Sequence, residues 1–127
     1  MLGSAPHPQA GHALVIDDER DVLDLLDAHL SRLGYRVTGA QTGEQGLDLA
    51  VADPPDVVVV DMLLPGIDGR EVVRRLRARP ELRDCAIVVC SVLDPPDLAD
   101  LAPDAVLTKP FGRAAVAAVV DSIRRSA

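Results

Sequence analysis

The 127-residue chain lacks tryptophan and has a single tyrosine and a single phenylalanine, so its core must be built from aliphatic side chains. It also lacks any apolar run approaching the roughly eighteen residues that a membrane-spanning helix needs. Its N-terminus lacks the charged and then apolar pattern of an export signal. These absences predict a cytoplasmic protein with no membrane partner.

Cysteine and positive charge are also scarce. Cys85 and Cys90 are the only cysteines, and they have neither CxxC spacing nor nearby histidines, which argues against a zinc site and favours reduced structural thiols. The formal net charge is −7, which predicts that the chain has no basic patch able to contact a phosphate backbone. We therefore do not expect this domain to bind nucleic acid.

The length fits a single domain, and the composition, 48% hydrophobic and 26% charged, is typical of a globular chain. Residues 1–12 mix Gly, Ser, Pro and Gln with little apolar content, which predicts a flexible leader in which His7 and His12 have no role. Residues 13–125 form the predicted domain.

Five short apolar runs alternate with stretches of helical periodicity across that domain. Such alternation favours right-handed crossovers and a parallel sheet covered by helices on both faces, which is a three-layer, doubly wound (βα)5 fold of the α/β class. Thr42 and Asp68 are predicted helix caps. The predicted strands are "ALVID", "YRVTGA", "DVVVVD", "AIVVCS" and "AVLT".

Polar side chains stand where four of these strands end. They are Asp17 and Asp18, Asp61, Ser91, and Lys109. Parallel sheets carry their chemistry at the carboxyl ends of the strands. Carboxylates about 5 Å apart repel by roughly 3 kcal/mol per pair at an effective dielectric near 20. An oxygen-rich acidic pocket of this kind suits Mg²⁺ or Mn²⁺.

Lys109 is the only lysine among thirteen basic residues, the other twelve being arginine. A compact ammonium suits the pairing with one carboxylate or one phosphoryl oxygen, whereas the planar guanidinium fork does not fit that role. The position of Lys109 after the fifth strand therefore indicates a specific ionic contact.

"VIDDER", "VVVVDMLLPGIDG", Ser91 after an apolar strand, and "LTKPF" together resemble the CheY-like receiver domain of two-component response regulators over residues 13–125. The resemblance implies a flavodoxin-like fold. It also implies a signalling domain rather than an enzyme, phosphorylated by a sensor histidine kinase or a histidine phosphotransfer protein. A downstream protein partner or a fused output domain is expected but not identified.

The resemblance further assigns roles by position. Asp61 would be the phosphoacceptor, and Ser91 and Lys109 would each hold a phosphoryl oxygen. Asp18 would bind Mg²⁺ directly and Asp17 through water, and the Lys109–Pro110 peptide would be cis. The Asp61 carboxylate and the backbone carbonyl of Leu63 would complete the metal ligands.

Three departures from the family pattern lie in the half of the domain that normally reports phosphorylation. Val106 stands three residues before the lysine, where an aromatic is usual, and Val92 follows the serine in place of a small alanine. The proline-rich segment between the fourth and fifth strands is about one helical turn short. The fourth helix is therefore predicted to be short or irregular.

Two other functions stay open at the level of sequence. One is a non-switching protein-binding module that keeps a vestigial acidic pocket. The other is a phosphohydrolase with an aspartyl nucleophile, which is disfavoured because Leu63 occupies the place, two residues after Asp61, where a second acid would be wanted.

Overall fold

The computed structural model describes residues 11–92 and 95–126. A five-stranded, wholly parallel sheet forms its centre, with strand order β2-β1-β3-β4-β5. This order and the helices on both faces confirm the predicted flavodoxin-like α/β fold. The strands are β1 (Gly11–Ile16), β2 (Tyr35–Ala40), β3 (Val57–Asp61), β4 (Ala86–Ser91) and β5 (Ala105–Thr108).

Four α-helices connect or follow the strands within the described residues: α1 (Arg20–Arg32), α2 (Gly43–Ala52), α3 (Gly69–Arg77) and α4 (Arg113–Ser126). Both predicted caps are confirmed. The Thr42 hydroxyl accepts a hydrogen bond from the Gln45 N–H at 3.1 Å, and an Asp68 carboxylate oxygen accepts one from the Glu71 N–H at 3.0 Å. None of the described helices combines the length and the apolar character that crossing a membrane requires.

The sheet separates two apolar layers, because successive side chains of a strand point to opposite faces. In β3, Val58 and Val60 pack into the layer that includes residues of α2 and α3. Val57 and Val59 pack into the layer that includes residues of α1 and α4. The four valines before Asp61 are thus buried on both sides, as a central parallel strand requires.

The first strand begins earlier than predicted. Gly11 and His12 belong to β1 rather than to the leader, and the rest of the predicted leader, His7 included, lies outside the described residues. His12 is buried, and its Nε2 lies 2.8 Å from Thr38 Oγ1. Its backbone N–H donates to an Asp56 carboxylate oxygen at 2.7 Å. These contacts join β1 to Thr38 of β2 and to Asp56, just before β3. The expectation that His12 has no role was therefore wrong.

The predicted short fourth helix is a 3-10 helix, Pro95–Leu101, between β4 and β5. Arginines of α3 hold this segment in place. Arg70 Nη1 lies 2.6 Å from Asp100 Oδ2, and Arg77 Nη2 donates to the carbonyl oxygen of Ala102 at 2.8 Å. The segment is therefore tied to α3 by side chains at both ends of that helix.

Both cysteines are free thiols, in agreement with the structural reading. Cys90 is buried in β4, and Cys85 is partly buried just before that strand. Burial raises the pKa of each thiol to about 12, so both are protonated near neutral pH. Protonated thiols are poor nucleophiles and poor metal ligands.

Candidate functional site

The polar residues predicted at the strand ends meet at one edge of the sheet. Asp61 is the last residue of β3, and Asp17 directly follows β1, its neighbour in the sheet. Ser91 ends β4 opposite Thr108 of β5, and the Lys109 N–H donates to the Ser91 carbonyl at 2.9 Å. The peptide between Lys109 and Pro110 is cis, as the family resemblance implied.

Three carboxylates form the centre of this site. Asp17, Asp18 and Asp61 each place one carboxylate oxygen so that the three oxygens lie within 4.8 Å of one another. Asp17 and Asp61 are buried, with 1% and 5% of their surface exposed, whereas Asp18 is exposed. Three hard oxygen donors open to water on one side fit the coordination that Mg²⁺ prefers. The donor set therefore fits the predicted divalent cation.

Lys109 supplies the positive charge next to these acids. Its Nζ lies 3.2 Å from Asp17 Oδ2, 3.5 Å from Asp61 Oδ1 and 3.7 Å from Glu19 Oε1. Burial by itself would lower the pKa of Lys109, but the charges of Asp17 and Asp61 outweigh burial and raise it. The side chain is therefore an ammonium ion that bridges the acids of β1 and β3.

Asp61 is the acid whose ionisation is hindered. Its pKa is raised, first by burial and then by repulsion from Asp17. The attraction of Lys109 and the Leu63 N–H, which donates to Asp61 Oδ1 at 3.4 Å, act in the opposite direction without cancelling the rise. A further cation bound beside Asp61 would lower this pKa and leave the carboxylate ionised.

A cavity of about 380 Å³ opens over these groups. Leu63 and Val92 lie at its border with 70% and 64% of their surface exposed. Val92, which follows Ser91 where the family commonly has a small alanine, thus lies at the rim of the cavity. The residues lining the cavity are Asp18, Glu19, Asp61, Leu63, Ser91, Val92 and Lys109.

Two contributors were missed at the level of sequence. Glu19 lies within ion-pair distance of Lys109 and lines the cavity. Gly69 packs so tightly on the main chain after β3 that an added Cβ would lie 2.6 Å from the Met62 Cα and overlap the Asp61 carbonyl oxygen. The glycine that follows the predicted cap Asp68 in "VVVVDMLLPGIDG" is the sequence signal for this tight approach.

The two acids that follow β1, Asp17 and Asp18, stand close to the start of α1, where a side chain can cap a helix. The N-cap residue of this helix is Glu19, and its side chain makes no capping hydrogen bond. Asp17 instead accepts a hydrogen bond from the Glu19 N–H at 2.9 Å, which holds the turn between β1 and α1. Neither Asp17 nor Asp18 is thus accounted for by helix capping.

Comparisons with known proteins agree with this geometry. The sequence matches the response regulator receiver domain family over residues 13–121. The signal receiver domain of a signal transduction histidine kinase from Syntrophus aciditrophicus is 26% identical, with a TM-score of 0.82 and 92% of each chain covered. The BeF₃-activated DrrB receiver domain is 27% identical, with a TM-score of 0.78, covering 92% of this chain and 99% of that one.

A third similar structure is the chemotaxis response regulator CheY4 of Vibrio cholerae. It is 21% identical, with a TM-score of 0.85, covering 91% of this chain and 99% of CheY4. At that identity the likeness supports the fold alone. The family assignment thus rests on the sequence match, and the structural likeness to CheY4 supports the fold separately.

Proposed function

Because the chain belongs to the response regulator receiver domain family, we propose that Asp61 accepts a phosphoryl group from a phosphohistidine of a sensor histidine kinase or a histidine phosphotransfer protein. The domain is then a phosphoacceptor in two-component signal transduction. The observation that carries this proposal is the position of Lys109, whose ammonium lies within 3.5 Å of carboxylate oxygens on both Asp17 and Asp61.

The transfer needs little proton chemistry, because a carboxylate is already a nucleophile. An Asp61 oxygen attacks the phosphorus, the phosphorus–nitrogen bond of the donor breaks, and its electron pair returns to the imidazole. The product is an acyl phosphate. Lys109 would attract one oxygen of the transferring group, and the Ser91 hydroxyl would donate a hydrogen bond to another.

The acids around Asp61 would hold Mg²⁺ or Mn²⁺. Asp18 and Asp61 would be direct ligands, Asp17 would act through water, and the Leu63 carbonyl would be the backbone ligand; the three carboxylates lie close enough to share one ion. When bound, the cation offsets negative charge on the phosphoryl group. Burial of Asp17 and Asp61 favours a bound cation further, since the single charge of Lys109 does not balance the two buried acids and Asp18 beside them.

Phosphorylation would be reported through the segment after β4. Ser91 is followed within four residues by the 3-10 helix Pro95–Leu101, which Arg70 and Arg77 tie to α3. A shift of Ser91 toward a phosphoryl oxygen would pull on that segment. A downstream protein or output domain would recognise the changed surface.

The non-switching binding module remains the second candidate. Val106 lies in β5 where the family usually has an aromatic, and the fourth helix is reduced to 3-10 form. Both features remove parts that usually transmit the signal. This candidate keeps the fold and the acidic site but predicts no phosphoryl adduct.

The test is intact mass spectrometry of the protein after incubation with acetyl phosphate and Mg²⁺. We expect one phosphoryl adduct on the wild type and on Asp48→Asn, which removes an exposed carboxylate of α2. We expect no adduct on Asp61→Asn, and a large loss with Lys109→Arg, which keeps the charge but changes its shape.

No phosphoryl adduct on the wild type, together with no binding of the acyl-phosphate mimic beryllofluoride, would point to the vestigial module. Adducts that persist in Asp61→Asn would show that another group is the acceptor. Repeated turnover of a small phosphate ester would indicate a hydrolase instead.

A further inference from the structure

Half of the arginines of this acidic chain are concentrated in one segment. Six of the twelve lie between residues 70 and 83, a stretch with only two glutamates and thus a local surplus of four positive charges. This corrects the expectation from sequence that no basic patch exists. The segment covers α3, the 3-10 turn Pro80–Leu82 and the approach to β4.

A cavity of about 370 Å³ lies in the later part of this segment. We call it the arginine cavity. It lies near the amino end of β4, whereas Asp61 lies at the carboxyl end of β3, so the two sites are at opposite edges of the parallel sheet. The arginine cavity is lined by Arg77, Ala78, Arg79, Pro80, Leu82, Arg83, Cys85 and Ile87.

The lining combines three guanidinium groups with apolar surface and, among the described residues, includes no acid. Arg77 and Arg79 are partly engaged: Arg77 donates to the Ala102 carbonyl, and Arg79 Nη1 lies 3.5 Å from Glu81 Oε2. Each guanidinium has five N–H donors, so most donors stay available. Arg83 is exposed and has no ion pair among the described residues.

The surroundings favour a compact anion over a long one. Asp84 and Asp104 line an adjoining cavity together with Arg77 and Arg83. These acids would repel the continuing chain of a nucleic acid or an acidic peptide that left the arginine cavity in that direction. A small ligand whose charge is concentrated at one end avoids them.

We propose that the arginine cavity binds a small organic phosphate, with one or two phosphoryl groups held by Arg77, Arg79 and Arg83. Guanidinium forks match the paired oxygens of phosphate. Exposed Ala78 and Pro80 offer apolar surface to the organic part. The volume lies within the range of small-molecule sites, about 300–1,000 Å³.

The test is a titration of the ¹⁵N-labelled full chain with GDP, followed by NMR in chelator-containing buffer. We expect GDP to shift amides of residues 77–87, and Arg83→Ala to weaken GDP binding by about tenfold or more, the loss typical of a charge-assisted hydrogen bond. Arg113→Ala is the matched control, because it removes the same charge from an exposed arginine outside the cavity and should leave binding unchanged.

Three results would overturn the proposal: no GDP-dependent shifts at residues 77–87, equal weakening by Arg83→Ala and Arg113→Ala, or binding of inorganic pyrophosphate as tight as that of GDP. Equal weakening would reveal general charge attraction, and tight pyrophosphate binding would show that no organic part is recognised. Asp61→Asn should bind GDP like the wild type, which separates this site from the proposed phosphoacceptor site. The amide spectrum of each unliganded variant checks that it is folded.

Discussion

The Asp61 side chain faces opposing influences from its neighbours. Burial and the charge of Asp17 raise its pKa, while Lys109 acts to lower it. A carboxyl group whose pKa is higher in the folded than in the unfolded state stabilises the fold only while it is protonated. That stabilisation is complete below the unfolded pKa, near 3.8, and is lost as the pH rises through the folded pKa.

At neutral pH and without metal, ionised Asp61 should therefore destabilise the domain. We expect Asp61→Asn to raise the melting temperature at pH 7 in chelator by a few degrees, which corresponds to about 1 kcal/mol in a domain of this size. Thermal unfolding followed by circular dichroism from pH 3 to 8 measures it. The difference from the wild type should shrink toward pH 3.

Asp48→Asn is the control for the loss of one negative charge, since Asp48 is exposed on α2. Its melting temperature should stay close to that of the wild type. A lower melting temperature for Asp61→Asn at pH 7 would mean that the Lys109 contact outweighs burial and the repulsion from Asp17.

At the scale of elements, the connection from β3 to α3 depends on a glycine. Gly69 is the first residue of α3, and its N–H donates to the Met62 carbonyl at 3.1 Å. Helix propensity alone would favour alanine there. At this position alanine should instead be unfavourable, because its Cβ would overlap the main chain of Asp61 and Met62.

We expect Gly69→Ala to lower the free energy of unfolding by about 1–3 kcal/mol, the usual cost of overpacking. Gly112→Ala is the matched control, because nothing lies within 4 Å of the added Cβ, and its effect should stay within about 0.5 kcal/mol. Urea unfolding of both variants makes the comparison. Equal stabilities would show that the β3–α3 turn relaxes without cost.

The 3-10 helix Pro95–Leu101 shows how far local patterns predict an element. Its reduced length was predicted from the spacing and the prolines. Its attachment was not, because the contacts of Arg70 with Asp100 and of Arg77 with Ala102 join residues 25 or more positions apart. Propensity describes neighbours in the chain and carries no information on such pairs.

At the scale of the whole molecule, a cation bound only to the folded state must stabilise it by linkage. At a Mg²⁺ concentration ten times its dissociation constant, the gain is about 1.4 kcal/mol. We expect Mg²⁺ to raise the melting temperature of the wild type and of Asp48→Asn, and to have little effect on Asp18→Asn. Differential scanning fluorimetry across a Mg²⁺ titration measures this, with Ca²⁺ run in parallel.

A shift of the same size in Asp18→Asn would place the cation elsewhere. No shift in the wild type at any concentration would contradict a metal site at these acids. Either result concerns the acidic site alone, because the two apolar layers that flank the sheet are built from other residues.

The alternation of strands and helices could be predicted from the sequence, because apolar periodicity and caps are local properties of the chain. The sequence also marked the strand-end acids and Lys109 as candidates, since parallel strands end at one edge. Which atoms these residues contact depends instead on the three-dimensional arrangement of the strands. Lys109 and Asp17 are 92 positions apart, and their 3.2 Å contact depends on the strand order and on packing. The start of β1, the role of Gly69 and the arginine cavity likewise arise from contacts between distant segments, which no local pattern specifies.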